Sequence, residues 1–412
     1  MTNATAASRQ AATIQHIASF TGLSDTTLTH SLQLARHLSD IDASQWNALA
    51  GPCPFLRHEY LLALEQAGCA VPATGWAPHY LLLTRDKNLA GAMPLYLKTH
   101  SRGEYVFDHA WANAFARNGL DYYPKLLSAI PFTPVPGPRI LARSHADRVS
   151  LARHAVDMAR ENALSSLHVL FPSSEDRLAL SEAGFMFREN VQFHWFNQGY
   201  ATFDDFLAGM SQQKRKKIRQ DKKKVAQAGI RFRWLTGSEI NDDALTFFFR
   251  CYCQTYLEHG NPPYLNLDFF QRLHRFMPGN LMLVLAERDA LPIACALNVV
   301  GESALYGRYW GATRFVSGLH FETCYVQAID YCIQRGIAVF EGGAQGEHKL
   351  SRGLVPVKTY SAHWVRDRRY AQAIEQYLRQ ETPAVEGYMD VLRQHSPFKH
   401  AADADAPPEA DA

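Results

Sequence analysis

Apolar residues along this chain follow two rhythms: short unbroken runs closed by polar turns, and longer stretches with apolar positions three and four apart. Near the start, Leu34, Leu38, Ile41 and Leu49 approach the second rhythm and predict a helix over residues 31–50. Pro52 and Pro54 interrupt it, and Phe55 to Ala67 then predicts a helix that Gly68 ends. Two apolar runs, Tyr80 to Leu83 and Gly91 to Leu97, flank the polar turn Arg85-Asp86-Lys87-Asn88, a hairpin pattern that Tyr105 to Phe107 extends to a meander. Residues 111–142 fit neither rhythm, because five prolines between Pro124 and Pro138 force extended or turned backbone. A helix over Ala146 to Glu161, a strand over Leu167 to Phe171, a helix ending near Gly184 and a strand over Val191 to Phe196 follow.

The second half opens with a single helix predicted over Phe203 to Gly229, with Phe203, Phe206, Leu207 and Met210 as its apolar stripe. Next come a hairpin over Leu281 to Val300 and a strand over Tyr306 to Thr313. Gly318 opens a helix whose Phe321, Cys324, Tyr325, Ala328, Ile329 and Cys332 share one buried face, and Gly336 closes it before a strand, Ile337 to Phe340. Hairpin, helix and strand thus occur twice in the same order, the first copy being longer by about the proline-rich stretch. The pattern predicts an α/β (α+β) protein of two similar units, each a mixed, mostly antiparallel central sheet flanked by helices. The expected boundaries are a disordered tail at 1–30, a first unit at 31–198 with an insertion at 111–142, a second unit at 199–398, and an acidic disordered tail at 399–412.

Composition narrows the classes. At 412 residues the chain exceeds one ordinary core. Its 47% hydrophobic and 20% charged residues are those of a soluble globular protein. No apolar run is long enough to span a membrane, and the N-terminal stretch lacks the apolar core of a secretory signal. A net charge of +2 gives no global attraction to duplex DNA. Seven cysteines without regular spacing read as reduced thiols of a cytoplasmic protein; Cys251 and Cys253 have no second Cys/His pair at zinc spacing, so no metal is expected.

Candidate chemistry is densest after the strand Ile337 to Phe340. Gly342, Gly343 and Gly346 allow a sharp bend, and Gln345, Glu347, His348, Lys349 and Arg352 crowd around them. The bend is expected to bring Glu347 and His348 to the floor of a cleft. In the insertion, Asp121, Tyr122, Tyr123 and Lys125 group two phenols, a carboxylate and an ammonium beside Pro124, and are expected to wall the cleft. The helix start at Gly318 and His320 presents free N–H groups to an anion. Lys214 to Lys224, with Lys216 and Lys217 at its centre, holds eight basic residues and one acid. That run is either a solvated face or a grip on a phosphate-bearing partner.

Meander, helix, strand and glycine-rich break in tandem resemble the GNAT acyltransferase arrangement, and a basic helix leading into the second unit resembles the FemAB-like group. Arg352-Gly353-Leu354-Val355-Pro356-Val357-Lys358 is similar to that group's Gly-Leu-x-x-Phe-Lys segment, with Val357 in place of Phe. The stretches GLDYYPKLLSAIPFTPVPGPRIL, QFHWFNQGY, YGRYWGATRFVSGLHFETCYVQAIDYCI and FEGGAQGEHKLSRGLVP resemble the predicted N-acyltransferase branch of that group, the peptidoglycan biosynthesis/recognition type. The segment Arg314 to His320 departs from the Gln/Arg-x-x-Gly-x-Gly/Ala spacing of acetyl-CoA-dependent GNATs.

The resemblance implies a bacterial transferase moving an acyl or aminoacyl group to an amine on a small molecule or peptide, such as a peptidoglycan precursor. Acyl-CoA or aminoacyl-tRNA would be the cosubstrate, with no tightly bound cofactor. On that reading Glu347 or His348 is the base, and Tyr309, or Tyr122 and Tyr123, donates to the leaving group or the oxyanion. Arg308, Lys349 and Arg352 hold phosphate or carboxylate, Trp310 and Trp364 wall the cleft, and Gly318, His320, Lys216 and Lys217 receive the carrier. A non-catalytic protein that recognises a cell-wall precursor or peptide in a cleft between the units is the alternative, and turnover separates the two.

Overall fold

The computed structural model describes residues 30–343 and 346–399, so the expected tails lie almost wholly outside it. The first half supplies strands β1 (His30–Ala35), β2 (Trp76–Arg85), β3 (Asn88–Lys98), β4 (Lys125–Ser128), β5 (Leu141–Ala142), β6 (Ser166–Leu170) and β7 (Met186–Phe196). The second supplies β8 (Ile230–Thr236), β9 (Leu281–Arg288), β10 (Leu291–Val300), β11 (Ala304–Ala312), β12 (Val339–Glu341) and β13 (Val355–Val365). Contacts divide the chain into two units, one running to Asn190 and including Thr359–Ala384, the other comprising Val191–Lys358 and the residues from Val385 on.

In the first unit β1, β2, β3 and β4 pair antiparallel in turn, β4 pairs parallel with β6, and β6 pairs antiparallel with Ser361–Val365 of β13. The second unit repeats this. There β8, β9, β10 and β11 pair antiparallel, β11 pairs parallel with β12, and β12 pairs antiparallel with His194–Phe196 of β7. Each unit therefore takes its sixth strand from the other half of the sequence. The boundary expected at 198/199 is replaced by crossings inside β7, after Asn190, and inside β13, after Lys358.

Each core lies between sheet and helix. In the first unit Leu81, Met93, Leu95 and Leu97 meet Leu151, Ala155 and Ala159 of the helix His145–Glu161, which Ser144 caps by accepting from the Asp147 N–H. In the second, Met282, Val284, Ala296 and Leu305 meet Tyr325, Ala328, Ile329 and Cys332. Each fully buried large apolar side chain contributes about 1.5–3 kcal/mol. All seven cysteines are free thiols.

Three expectations are revised. Residues 31–50 are not one helix: β1 pairs along β2, Leu38–Asp40 is a 3₁₀ turn, and Ala43–Ala50, capped by Asp42, is the α-helix. Leu32 and Leu34 alternate with polar neighbours, the period of a strand, and the spacing to Leu38 disguised it. Tyr105 to Phe107 is a loop with Tyr105 at φ +61°, and the helix His109–Arg117 follows, burying Trp111 and Phe115 one turn apart. The single helix expected over 203–229 is two, Phe203–Ala208 and Gln212–Gln227, separated at Gly209.

Candidate functional site

The second unit's sheet opens beside its parallel pair. On β10 and β11, Leu297 faces Tyr309 but Asn298 faces Gly307, so Arg308 is an extra residue that bulges β11. β12 pairs with β11 only from Ala304 to Tyr306, because β12 ends at Glu341. Next, Gly342 packs so closely that a Cβ there would stand 2.8 Å from Leu354 and 3.3 Å from the Tyr325 ring. The opening holds a cavity of about 120 Å³ lined by Asn298, Gly307, Arg308, Tyr309, Trp310, His320, Cys324, Tyr325, Phe340 and Gly342.

The helix bordering this cavity begins after Gly318, whose φ of +83° suits glycine. It runs α-helically through Leu319–Phe321, widens to a π-helix over Glu322–Val326, and returns to α-helix over Gln327–Arg335. Ordinary helical spacing puts residues five apart on different faces. The π-turn brings His320 and Tyr325 together, with ring centroids 5.8 Å apart. The Tyr325 hydroxyl bonds His348 Nε2 at 3.3 Å. Burial raises the Tyr325 pKa and keeps it a phenol. Burial, then the charges near His348, Lys349 and Arg352, push His320 down to about 4, so it is neutral at pH 7. His348 is lowered by the same causes yet is exposed to solvent. Cys324 is also raised by burial, so it lines the cavity as a protonated thiol.

Of the expected site residues, Arg308, Tyr309, Trp310 and His320 line the cavity. Trp310 lies tilted against His320, with centroids 5.0 Å apart, whereas the Tyr309 ring packs edge-on against Tyr252 and Phe270. Lys349 is buried; its Nζ donates to the Gly343 carbonyl at 2.8 Å, and burial lowers its pKa to about 8. Arg352 pairs with Asp221 at 3.3 Å and lies 4.2 Å over the Phe321 ring. Glu347 does not reach the cavity floor. It is exposed and accepts from the Tyr388 hydroxyl at 2.6 Å, while Arg352 pairs with Asp221 and Lys358 with Glu386. The physical reason is the 3₁₀ turn Glu347–Arg352, which directs Lys349, Leu350 and Arg352 inward and leaves Glu347 outside. Gln345 lies outside the described residues.

The helix Gln212–Gln227 buries Ile218 and Val225 and leaves Lys216, Lys217, Lys223 and Lys224 exposed. It packs beside the start of the site helix: a Cβ on Gly318 would touch Val225 at 3.4 Å. The neutral partner that sequence reading missed is Asn298. It is 1% exposed, lines the cavity, and its Nδ2 contacts only the weak acceptor Met282 Sδ, at 3.4 Å. An Asn inside an apolar strand was the available signal.

In the first unit the insertion cluster is divided. Asp121 is exposed and, with Tyr123, lines a separate cavity of about 430 Å³. Tyr122 and Lys125 are buried instead of facing a ligand. Lys125 Nζ bonds Glu104 at 2.7 Å, Ser101 at 2.8 Å and Asp108. The Tyr122 hydroxyl donates to Asp108 at 2.7 Å and meets His168 Nε2 at 3.0 Å, and His168 Nδ1 meets His363 Nδ1 at 2.8 Å. Burial opposes the Lys125 charge, but Glu104 and Asp108 outweigh it. Burial, aided by Lys125, lowers His168 to about 3, and burial also holds His363 far below the usual imidazole range. Both rings are neutral, and one proton lies between their facing nitrogens. The hydroxyl of Tyr122 and the ammonium of Lys125 are thus spent on this network, which corrects their expected place in the cleft wall.

Two units, each a meander followed by a helix and a parallel strand, define a tandem GNAT-type fold. The chain belongs to the FemAB-like family, described as peptidoglycan biosynthesis/recognition, whose model matches residues 37–400. Among solved structures it is similar to the C-terminal domain of a putative lysylphosphatidylglycerol synthetase from Agrobacterium fabrum, at 10% identity and TM-score 0.50, over 81% of this chain and 93% of that one. It is similar to L-PGS from Bacillus licheniformis at 10% identity and TM-score 0.50, over 80% and 96%. FemX aligns at 12% identity and TM-score 0.49, over 76% and 93%. At these identities the likeness is one of fold. No curated protein matches the chain. No helix among the described residues is long and apolar enough to cross a membrane.

Proposed function

We propose that the protein transfers an acyl or aminoacyl group from a phosphate-bearing carrier to an amine acceptor in the second unit's cavity. One observation carries the reading: a cavity at the split of β11 from β12 contains a phenol, Tyr325, hydrogen-bonded to an imidazole, His348, that reaches solvent. The amine nitrogen attacks the acyl carbonyl carbon, the new C–N bond forms, and the bond to the carrier's oxygen or sulfur breaks. As the amine proton passes to the Tyr325 oxygen, the Tyr325 proton passes to His348 Nε2. The resulting imidazolium is hydrated, whereas a buried phenolate would be costly. The carrier leaves as an alcohol or thiol once it takes up a proton. Asn298 Nδ2, held by nothing better than a thioether, supplies a donor to the carbonyl oxygen as charge develops there.

The carrier fits acyl-CoA or aminoacyl-tRNA, because the exposed lysines of Gln212–Gln227 lie beside the start of the site helix. Membership of the FemAB-like family favours aminoacyl-tRNA as donor and a peptidoglycan precursor as acceptor. The test incubates purified protein with acyl-CoA or aminoacyl-tRNA and a precursor peptide bearing a free amine, and reads N-acylated product by mass spectrometry. Product that grows with time supports transfer; a bound precursor with no product would leave only a recognition protein.

A further inference from the structure

One end of the second unit's sheet carries apolar side chains that the protein leaves in water. Phe315, on the loop after β11, is 95% exposed, Leu257 is 67% exposed and Leu291 is 60% exposed. Backbone pairing brings their segments to the same end. Leu291 pairs with Arg288, which also pairs with Ile230 at the start of β8, and the Thr313 N–H donates to Ile293 at 2.8 Å. Thr255, two residues before Leu257, donates its hydroxyl to the Trp310 carbonyl near the end of β11.

Cations ring the same end. Lys223 and Lys224 close the basic helix, Arg231 follows on β8 and Arg314 precedes Phe315, all exposed, against the exposed acids Glu258 and Asp289. Val316, next to Phe315, packs on the apolar cluster that contains Val225 of that helix, and a Cβ on Gly318 would stand 3.4 Å from Val225, so the helix and the Phe315 loop are neighbours.

We infer that this end of the second unit docks on the surface of an anionic lipid bilayer. Single exposed apolar residues are ordinary, but three at one end among cations have the chemistry of an interfacial surface. The apolar tips enter the boundary between headgroups and acyl chains, and the lysines and arginines meet lipid phosphates. Single-stranded RNA would use Phe315 as a stacking platform and the cations as phosphate contacts, but would leave Leu257 and Leu291 in water. The inference stands apart from the transfer reading, since docking needs no turnover. Phe315 is three residues from Gly318, which opens the site helix.

The test is sedimentation of the full chain with vesicles of phosphatidylcholine alone, or of phosphatidylcholine and phosphatidylglycerol in a two-to-one ratio. Binding is expected only to the anionic vesicles. It should weaken roughly fivefold for each of Lys223→Glu and Lys224→Glu, and about tenfold for Phe315→Ser. Phe315→Trp should show blue-shifted emission with anionic vesicles, reporting entry of the ring. Lys223, Lys224, Leu291 and Phe315 are all exposed, and unchanged thermal melting of each variant confirms an intact fold. Equal binding to both vesicle types, wild-type binding by Phe315→Ser and Leu291→Ser, or retention of single-stranded RNA without vesicle binding would each overturn the inference.

Discussion

The Tyr325 hydroxyl and His348 Nε2 stand 3.3 Å apart although 23 residues separate them, and Tyr325 lines the cavity while His348 is open to solvent. A proton leaving the cavity therefore has a route outward that never requires a buried charge. The low pKa of His320 reinforces the point: an imidazolium formed there, among Lys349 and Arg352, is disfavoured.

The pH dependence of transfer follows from His348. Its pKa lies below the ordinary imidazole value of 6.5, by burial first and then Lys349 and Arg352. It must be neutral to accept the proton, so kcat should be level across neutral pH and fall in acid, below the range of an unperturbed histidine. His348→Gln should lower kcat and remove that acid limb. An acid limb unchanged in this variant would assign it to another group.

Lys349 should act through charge and positioning. Lys349→Met keeps the apolar stem but removes the bond to the Gly343 carbonyl, at a cost of about 1 kcal/mol in stability. It also removes a cation that depresses His320, so the His320 pKa should rise from about 4. Imidazole NMR titration reads the shift, and an unmoved His320 would remove Lys349 from the causes of its low value.

Reversing Lys216, Lys217 and Lys223 to Glu should leave thermal stability nearly unchanged, since all three are exposed and only Lys217 pairs locally, with Asp221. Binding of a phosphate-bearing donor should weaken, most at low salt. Undiminished donor binding at low salt would return the helix to a solvated face.

The first unit should be acid-sensitive. His168 titrates at about 3 when folded against 6.5 unfolded, so below 6.5 the unfolded chain takes the proton first. The stability that depends on neutral His168 is complete above 6.5 and drains away as pH falls toward 3. His168→Asn should flatten this part of the stability curve in denaturant titrations. Lys125→Met should cost about 3–5 kcal/mol by leaving Glu104 and Asp108 buried without their cation.

The repeat was legible because hairpin, helix and strand recur in one order, and local apolar rhythm records that order faithfully. The exchange of sixth strands was not, since pairing of Ser361–Val365 with β6 is a contact between distant segments that no local period encodes. His320, Trp310 and Arg308 could be singled out because strand, loop and helix start place them by adjacency. Tyr325 is on the buried face, as the helical spacing predicts, and the π-turn at Glu322–Val326, which no local period announces, also brings its ring to His320 and the cavity. Glu347 drew attention as a carboxylate among glycines, and the 3₁₀ turn that exposes it depends on the packing of Leu350 and Arg352. Tyr122 and Lys125 read as ligand-facing because burial cannot be read from residue type: a phenol and an ammonium serve a core as readily as a cleft.

The most direct test of the account is the rate of N-acyl product formation by Tyr325→Phe beside wild type, under saturating donor and amine, with acceptor affinity measured by calorimetry on both. The substitution removes one oxygen from the cavity and leaves the ring packed. The account predicts kcat lower by about a hundredfold, the scale of a lost proton-transfer group, with acceptor affinity and melting temperature close to wild type. Equal rates in the two proteins would contradict it and remove Tyr325 from the chemistry.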